Sequence, residues 1–249
     1  MNNQTFSSAG WRAVIGLIKP APGYQDISDF HHMVPEGVAI SATVLIKPLI
    51  KTNVVELSKL DNYVLDAAKV VALAVPNVIV WNCTSGSFIK GYGYDQELIE
   101  KIQNATNILT TTTTTAVIAA LKHLRINKIC IVTPYIKEIN KIEKKFFEDN
   151  GFIVLSISGL EIQDPYKISS ITPREVFQFA KANDVPDADC LFISCTALET
   201  SSIIEPLEHC LKKPVVTSNQ AAFWHCLQIV KIKESIRGYG KLLCDIVGN

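Results

Sequence analysis

Val78-Ile79-Val80-Trp81-Asn82-Cys83-Thr84-Ser85-Gly86-Ser87 decides how this chain is read. Four apolar, β-prone residues give way at once to small hydroxyl side chains and glycine. The pattern predicts a fully buried parallel strand that delivers its last residues to a loop. In an open α/β sheet, ligands bind outside that carboxyl end. Cys190-Leu191-Phe192-Ile193-Ser194-Cys195-Thr196 repeats the arrangement. The chain therefore offers two strand ends carrying Cys-Thr.

Working outward, strands are predicted at 13–18, 38–46, 78–81 and 107–109, and again at 128–132, 152–157, 190–193 and 215–216. A loop with His31 and His32 precedes the second strand. Apolar positions spaced for one helix face predict a helix of about twenty residues from Val54 towards Pro76. Further helices are expected at 95–103, 172–183, 202–211 and 221–230. Ile136, Ile139, Ile142 and Phe146 stripe another, with Lys and Glu on its other faces. The six threonines 110–115 precede an apolar helical pattern, and the last is a natural N-cap, with some of the hydroxyls facing a site.

The two halves correspond. Pro20 and Pro134 stand 114 positions apart, Cys83 and Cys195 112, and Thr110 and Thr217 107. A near-constant offset at three strand ends is the signature of an internal duplication. It predicts an α/β fold of two pseudo-symmetric lobes, each a four-stranded parallel sheet flanked by helices, with the site in the cleft between them. The expected lobes are 1–115, closed by a C-terminal helix 220–249, and 116–219. Cys83 is then expected opposite Cys195.

Composition narrows the function classes. The chain has 249 residues, 48% of them hydrophobic and 19% charged, with zero formal net charge. Nothing electrostatic argues for nucleic acid or an anionic membrane as partner. No apolar run is long enough to span a bilayer, and the first residues lack the form of a secretory signal. Seven cysteines, odd in number and without a CxxC pair, fit reduced thiols in the cytoplasm. The five histidines lie at no zinc-ligand spacing, so no metal is expected. Gly91-Tyr92-Gly93 lacks the third glycine of a dinucleotide fingerprint, and no P-loop occurs.

Chemistry is expected at the paired cysteines. A helix start after each would lower its pKa and make it a base or nucleophile. Backbone N–H groups and hydroxyls could hold a carboxylate without arginine. Thr84, Ser85, Ser87, Thr196, Tyr135 and the Thr110 cluster are the candidate donors. Two opposed thiols permit proton exchange on opposite faces of one carbon. They also permit addition of a thiolate to an activated double bond, rotation and elimination. Cys130, Cys190, Cys210, Cys226 and Cys244 read as core residues.

At these residues the chain resembles the aspartate/glutamate racemase superfamily, in the branch of maleate cis–trans isomerase and arylmalonate decarboxylase. The resemblance runs through Gly16-Leu17-Ile18-Lys19-Pro20, Cys83-Thr84-Ser85-Gly86-Ser87-Phe88, the stretch 110–117, Thr133-Pro134-Tyr135-Ile136, Ser194-Cys195-Thr196, 214–221 and Gly238-Tyr239-Gly240. It implies a cofactor-independent enzyme with Cys83 and Cys195 as catalytic thiols. Thr84, Ser85, Tyr135, Thr196 and Pro20 would line a small carboxylate substrate, and copies would associate through lobe faces into a homo-oligomer. The decarboxylase has glycine at the position of Cys83, so two cysteines favour isomerase or racemase chemistry. Pro20-Ala21-Pro22-Gly23 and Pro165 replace asparagines of the isomerase pattern. The expected activity is a two-cysteine isomerisation of the maleate-to-fumarate type; the alternatives are an arylmalonate-type decarboxylase and a non-catalytic carboxylate-binding protein.

Overall fold

A computed structural model of the chain describes residues 9–245. The first sheet is built from β1 (Ala13–Lys19), β2 (Val38–Val44), β3 (Val78–Trp81) and β4 (Thr110–Thr112). Between them run α1 (Gln25–Met33), α2 (Val54–Leu57), α3 (Asp61–Ala72), α4 (Thr84–Phe88) and α5 (Tyr94–Thr106), and α6 (Thr113–His123) follows β4. The second sheet holds β5 (Lys128–Thr133), β6 (Ile153–Gly159), β7 (Cys190–Ile193) and β8 (Val215–Thr217). Its helices are α7 (Lys137–Asp149), α8 (Pro165–Ser169), α9 (Pro173–Ala182) and α10 (Ile204–Leu211), the last entered through a 3-10 turn at Ser201–Ile203. The chain closes with α11 (Ser218–Ile229) and α12 (Gly240–Cys244). The expected closing helix 220–249 is instead these two helices, parted by residues 230–239, where Lys231 and Gly238 take left-handed backbone; its residues 246–249, and the first residues weighed for a signal, lie outside the described residues.

The strand orders are β2-β1-β3-β4 and β6-β5-β7-β8, all parallel. Each half thus repeats the other strand for strand, which is the duplication the offsets predicted. The inner strands β3 and β7 are buried at every residue, as parallel strands covered on both faces must be. Among the described residues no helix is long and apolar enough to cross a membrane.

An aromatic chain joins the halves. Phe88 on α4 meets Phe146 on α7 at 6.1 Å between ring centres, Phe146 meets Phe147 at 5.7 Å, and Phe147 meets Phe192 on β7 at 5.4 Å. Ring pairs at such separations contribute beyond their buried area. On the other side α11 packs along α6 and α1, with Phe30 edge-on to Phe223. The cleft between the sheets is therefore braced from both flanks.

Several local expectations are corrected. His31 and His32 lie on α1 rather than in a loop. Its inner face buries Gln25, Asp26 and Asp29 beside Phe30 and Met33, so no apolar period marks it. The long helix after Val54 is two helices, broken where Ser58 Oγ donates to the Val54 carbonyl at 2.7 Å. The fourth strand is 110–112 instead of 107–109. Asn107 takes a left-handed conformation at the end of α5, and the threonines, β-branched and buried, form the strand. Thr112, not Thr115, caps α6 by accepting the Thr115 N–H. Glu143, expected on a solvent face of α7, is buried. Cys210 is exposed and Cys244 half-buried, so neither is a core residue.

Candidate active site

The strand ends of β3 and β7 and the turn after β1 open on one cavity of about 40 Å³, room for a few waters. Cys83, Thr84, Ser85, Tyr135, Cys195, Thr196 and Pro20 all line it, together with Lys19, Ala21, Pro22, Asp26, Leu49, Thr52 and a wall from α8. The seven residues singled out from sequence thus meet at one place.

Cys83 ends the first of these strands. Its backbone is extended and its sulfur caps α4, accepting the Gly86 N–H at 3.3 Å. A Cβ on residue 86 would stand 2.8 Å from that sulfur, so glycine is what lets the amide approach. Ser87 Oγ donates to the Cys83 and Thr84 carbonyls, each at 2.9 Å. The threonine tract braces this turn from behind. Thr113 Oγ1 donates to the Trp81 carbonyl and to Asn82 Oδ1, and Thr114 Oγ1 to Ser87 Oγ. None of residues 110–115, nor Ser87, lines the cavity, so the expectation that these hydroxyls face it is corrected. Their oxygens are needed to satisfy buried backbone next to the site.

Cys195 reaches the cavity differently. Its φ is +117°, a conformation that costs a non-glycine residue strain and concentrates at functional sites. The Cys195 N–H donates to Ser218 Oγ at 3.0 Å. A non-helical turn at Thr196 and Ala197 follows it, and the next helical element is the 3-10 turn Ser201–Ile203. The helix-start expectation therefore holds for Cys83 alone. The Tyr135 hydroxyl and the Ala197 N–H favour charge on the Cys195 sulfur.

The halves interlock through the residue after each cysteine. Thr84 Oγ1 donates to Ser218 Oγ at 2.8 Å, and Thr196 Oγ1 to the Asn82 carbonyl at 3.3 Å. Each lobe's hydroxyl thus fixes the strand end of the other.

Burial works against activation of the thiols. Burial pushes Cys83 up to about 12, opposed by the Gly86 N–H and helped by the charge of Cys195. Cys195 is pushed up to about 11, with Tyr135 and the Ala197 N–H holding it down. The lowered pKa expected from sequence is overturned because removal from water outweighs one helix end. Burial likewise lifts Tyr135 well above its ordinary value.

Two buried charged features were missed. Lys19 Nζ lies 3.0 Å from Asp26 Oδ1, both about 3% exposed, and also donates to the Gly23 carbonyl. Asp26 Oδ1 accepts the Ile27 N–H at 2.9 Å, and the Asn82 side chain favours the charged form of the carboxylate. Burial raises the Asp26 carboxyl despite Lys19. A lysine closing the otherwise apolar strand Ala13–Lys19 was the available signal. The second is Glu143, pushed up to about 8 by burial and drawn down slightly by Ser194. Neither of its oxygens, nor Ser194 Oγ, completes a hydrogen bond of normal geometry.

Among the described residues, Asp29, His32 and Glu199 bring donor atoms within 4.8 Å of one another. Asp29 already accepts from Thr200 N and Oγ1, Ser201 N and Asn219 Nδ2, so it is engaged in fixing the loop after Cys195.

Known proteins of this shape carry known names. The chain is 29% identical to the arylmalonate decarboxylase of Bordetella bronchiseptica, over 64% of this chain and 68% of that one. It is 25% identical to the maleate isomerase of Nocardia farcinica, over 70% and 71%. A mutant of the Nocardia farcinica maleate cis-trans isomerase, solved with a covalently bound succinylcysteine intermediate, superposes with a TM-score of 0.88 at 19% identity, covering 93% of this chain and 98% of that one. The sequence profile of the arylmalonate decarboxylase family matches residues 15–243, nearly the whole fold described above. The chain belongs to the arylmalonate decarboxylase family, within the branch that also holds the maleate isomerases.

Proposed function

We propose that this protein is a cofactor-independent isomerase of a small unsaturated carboxylic acid, acting in the manner of maleate-to-fumarate conversion. The observation that carries the reading is the presence of Cys83 and Cys195 on one cavity, close enough for the charge of one to act on the other. A relative of this fold solved with a succinylcysteine intermediate supports the same chemistry.

In the mechanism one cysteine acts as thiolate and the other as thiol. The thiolate adds to one carbon of the double bond, and a C–S bond forms as the π bond breaks. The other thiol gives its proton to the neighbouring carbon. Rotation about the new single bond follows. The proton then returns, the C–S bond breaks, and the thiolate leaves with the double bond restored in the other geometry. Thr84, Ser85, Tyr135 and Thr196 hold the carboxylate at which negative charge collects during addition. Because burial favours the protonated form of both sulfurs, activity is expected to rise with pH above neutrality as the thiolate fraction grows.

Incubation with maleate, following fumarate, tests the reading; peptide mass after quenching should show a C4-acid adduct on Cys83 or Cys195. No fumarate and no adduct would overturn it. A second reading, decarboxylation of a disubstituted malonate, is favoured by the family profile and by the apolar wall of Leu49, Pro165 and Ile168. Carbon dioxide release from phenylmalonate, preserved in Cys83→Gly and abolished in Cys195→Ala, would select it.

A further inference from the structure

We propose that Asn219, which lies outside the cavity, is the positioning residue that holds Cys195 at its unusual φ and ties its turn to the strand end of Cys83. The catalytic part of this role rests on the two-thiol reading above; the conformational part stands without it.

Cys195 needs such a device. A φ of +117° strains any residue with a Cβ, and strain of this kind persists only where the surroundings over-determine the backbone. The turn after Cys195 is non-helical, so its carbonyls enter no helical ladder, and buried backbone groups without partners are costly. Asn219 Nδ2 supplies partners, donating to the Thr196 and Leu198 carbonyls, each at 3.2 Å. It also donates to Asp29 Oδ2 at 2.9 Å, and the Asp29 carboxylate accepts the Thr200 and Ser201 N–H groups. Two N–H bonds serve three acceptors, one of them shared. Carbonyls and amides of the same loop are thus held from one point.

The other end of the amide reaches the first lobe. Asn219 Oδ1 accepts from Asn82 Nδ2 at 3.2 Å, and Asn82 directly precedes Cys83. Three acceptors around Nδ2 and a donor at Oδ1 leave a single orientation for the side chain. Its own backbone is fixed in the first turn of α11, where Thr217 and Gln220 close a capping box. Asn219, Asn82 and Asp29 are each at most 1% exposed, and none of them lines the cavity. A side chain so placed touches no substrate; it sets where one sulfur stands relative to the other. Two-thiol chemistry depends on that placement, because one sulfur adds to a carbon while the other protonates its neighbour.

Glycine compared with alanine at residue 195 reads the backbone directly. Glycine adopts a positive φ freely and alanine does not. Both remove the sulfur, and the chain entropy and the methyl group that otherwise separate them are common to every background. Cys195→Gly and Cys195→Ala are each made in the wild type and in Asn219→Ala, and urea unfolding is measured. Without Asn219 the preference for glycine is expected to fall about five- to a hundredfold in the unfolding equilibrium constant, as strain at that residue is released. A side chain that only fills space would leave the preference unchanged, and that result overturns the proposal. Should Asn219→Ala not fold, Asn219→Ser, which keeps a single hydroxyl, takes its place with the same fall expected. With both cysteines present, Asn219→Ala should lower kcat for maleate about a hundredfold with KM nearly unchanged, the cost of a reacting group misplaced by about 1 Å. A loss carried by KM, or no loss, overturns the catalytic part. If the glycine preference falls while even the wild type never turns over maleate, the backbone role stands and the isomerase reading falls. Turnover of maleate with the glycine preference unchanged gives the reverse.

Discussion

The ends of β3 and β7 are the same device built twice, and they differ where the chemistry is. Both run from four buried apolar residues to Asn or Ser, then Cys, then Thr. At the first, the sulfur caps a five-residue helix and takes its amide. At the second, no helix follows; the backbone is strained at φ +117°, and a phenol and an amide face the sulfur instead. A charge at a helix end is worth about 0.3–1 kcal/mol, less than one pKa unit. Full burial moves a group by up to about 3–5 units. That imbalance is why both thiols stand high, at about 12 and about 11, although one of them caps a helix. Similar strand ends thus hold two buried sulfurs with different neighbours.

Removing one sulfur breaks the comparison most severely. Under the isomerase reading Cys83→Ser and Cys195→Ser each lose at least about a thousandfold in kcat, about 4 kcal/mol of barrier, because neither thiol can add and protonate alone. Steady-state rates with maleate check this. Tolerance of the change at 83 with loss at 195 would mean that the duplication is used on one side only.

The next largest effect belongs to Glu143, a buried carboxyl with no lysine beside it. Its carboxyl stands at about 8 in the fold against an ordinary 4.5. Between those values the folded chain keeps a proton that the unfolded chain has released. Stability is therefore full below pH 4.5 and falls as pH rises towards 8, by roughly 3 kcal/mol at pH 7. Glu143→Gln is expected to stabilise by roughly 2–4 kcal/mol at pH 8, with the gain vanishing near pH 5, measured by urea unfolding. Its charge also raises Cys195 and is not among the influences on Cys83. Alkylation resolved by peptide should therefore accelerate at residue 195 alone in the variant.

Sequence made the strand ends legible because hydroxyls and thiols directly after buried apolar runs have few other uses. The same logic failed where a polar group is buried on a helix. Asp26 lies on α1 among Gln25 and Asp29, and its partner Lys19 lies seven residues back on another element, a pairing that no period reveals. Glu143 sits four residues after Ile139, on the buried face of α7, yet a glutamate between lysines reads as solvent-facing. The threonine tract was misread in the same way. Its hydroxyls bond Trp81, Asn82 and Ser87 behind the site, a role that depends on which strand lies alongside.

Tyr135→Phe sharpens the difference between the sulfurs. The hydroxyl favours the thiolate form of Cys195, and the phenylalanine ring keeps the packing against Phe88 at 6.4 Å. Loss of one hydrogen bond to a charged group costs about 1.5–3 kcal/mol. The pH at which residue 195 becomes alkylatable should rise and kcat fall about tenfold or more, while alkylation of residue 83 is unchanged. An equal shift at both sulfurs would assign the phenol to the cavity as a whole.

Gly86→Ala acts on the other sulfur and is the mildest change. The added methyl would meet Cys83 Sγ at 2.8 Å and a Trp81 ring carbon at 3.1 Å. The sulfur can rotate away, whereas the buried tryptophan cannot, so the Gly86 N–H is expected to lose its acceptor. Alanine suits α4 better than glycine by about 0.5–1 kcal/mol, which offsets part of the clash. The net cost should be about 1 kcal/mol of stability, with Cys83 ionising at still higher pH and Cys195 unmoved. A variant that ionises Cys83 as the wild type does would show that the amide contributes nothing. The difference between the two thiols would then be a matter of burial and Tyr135 alone.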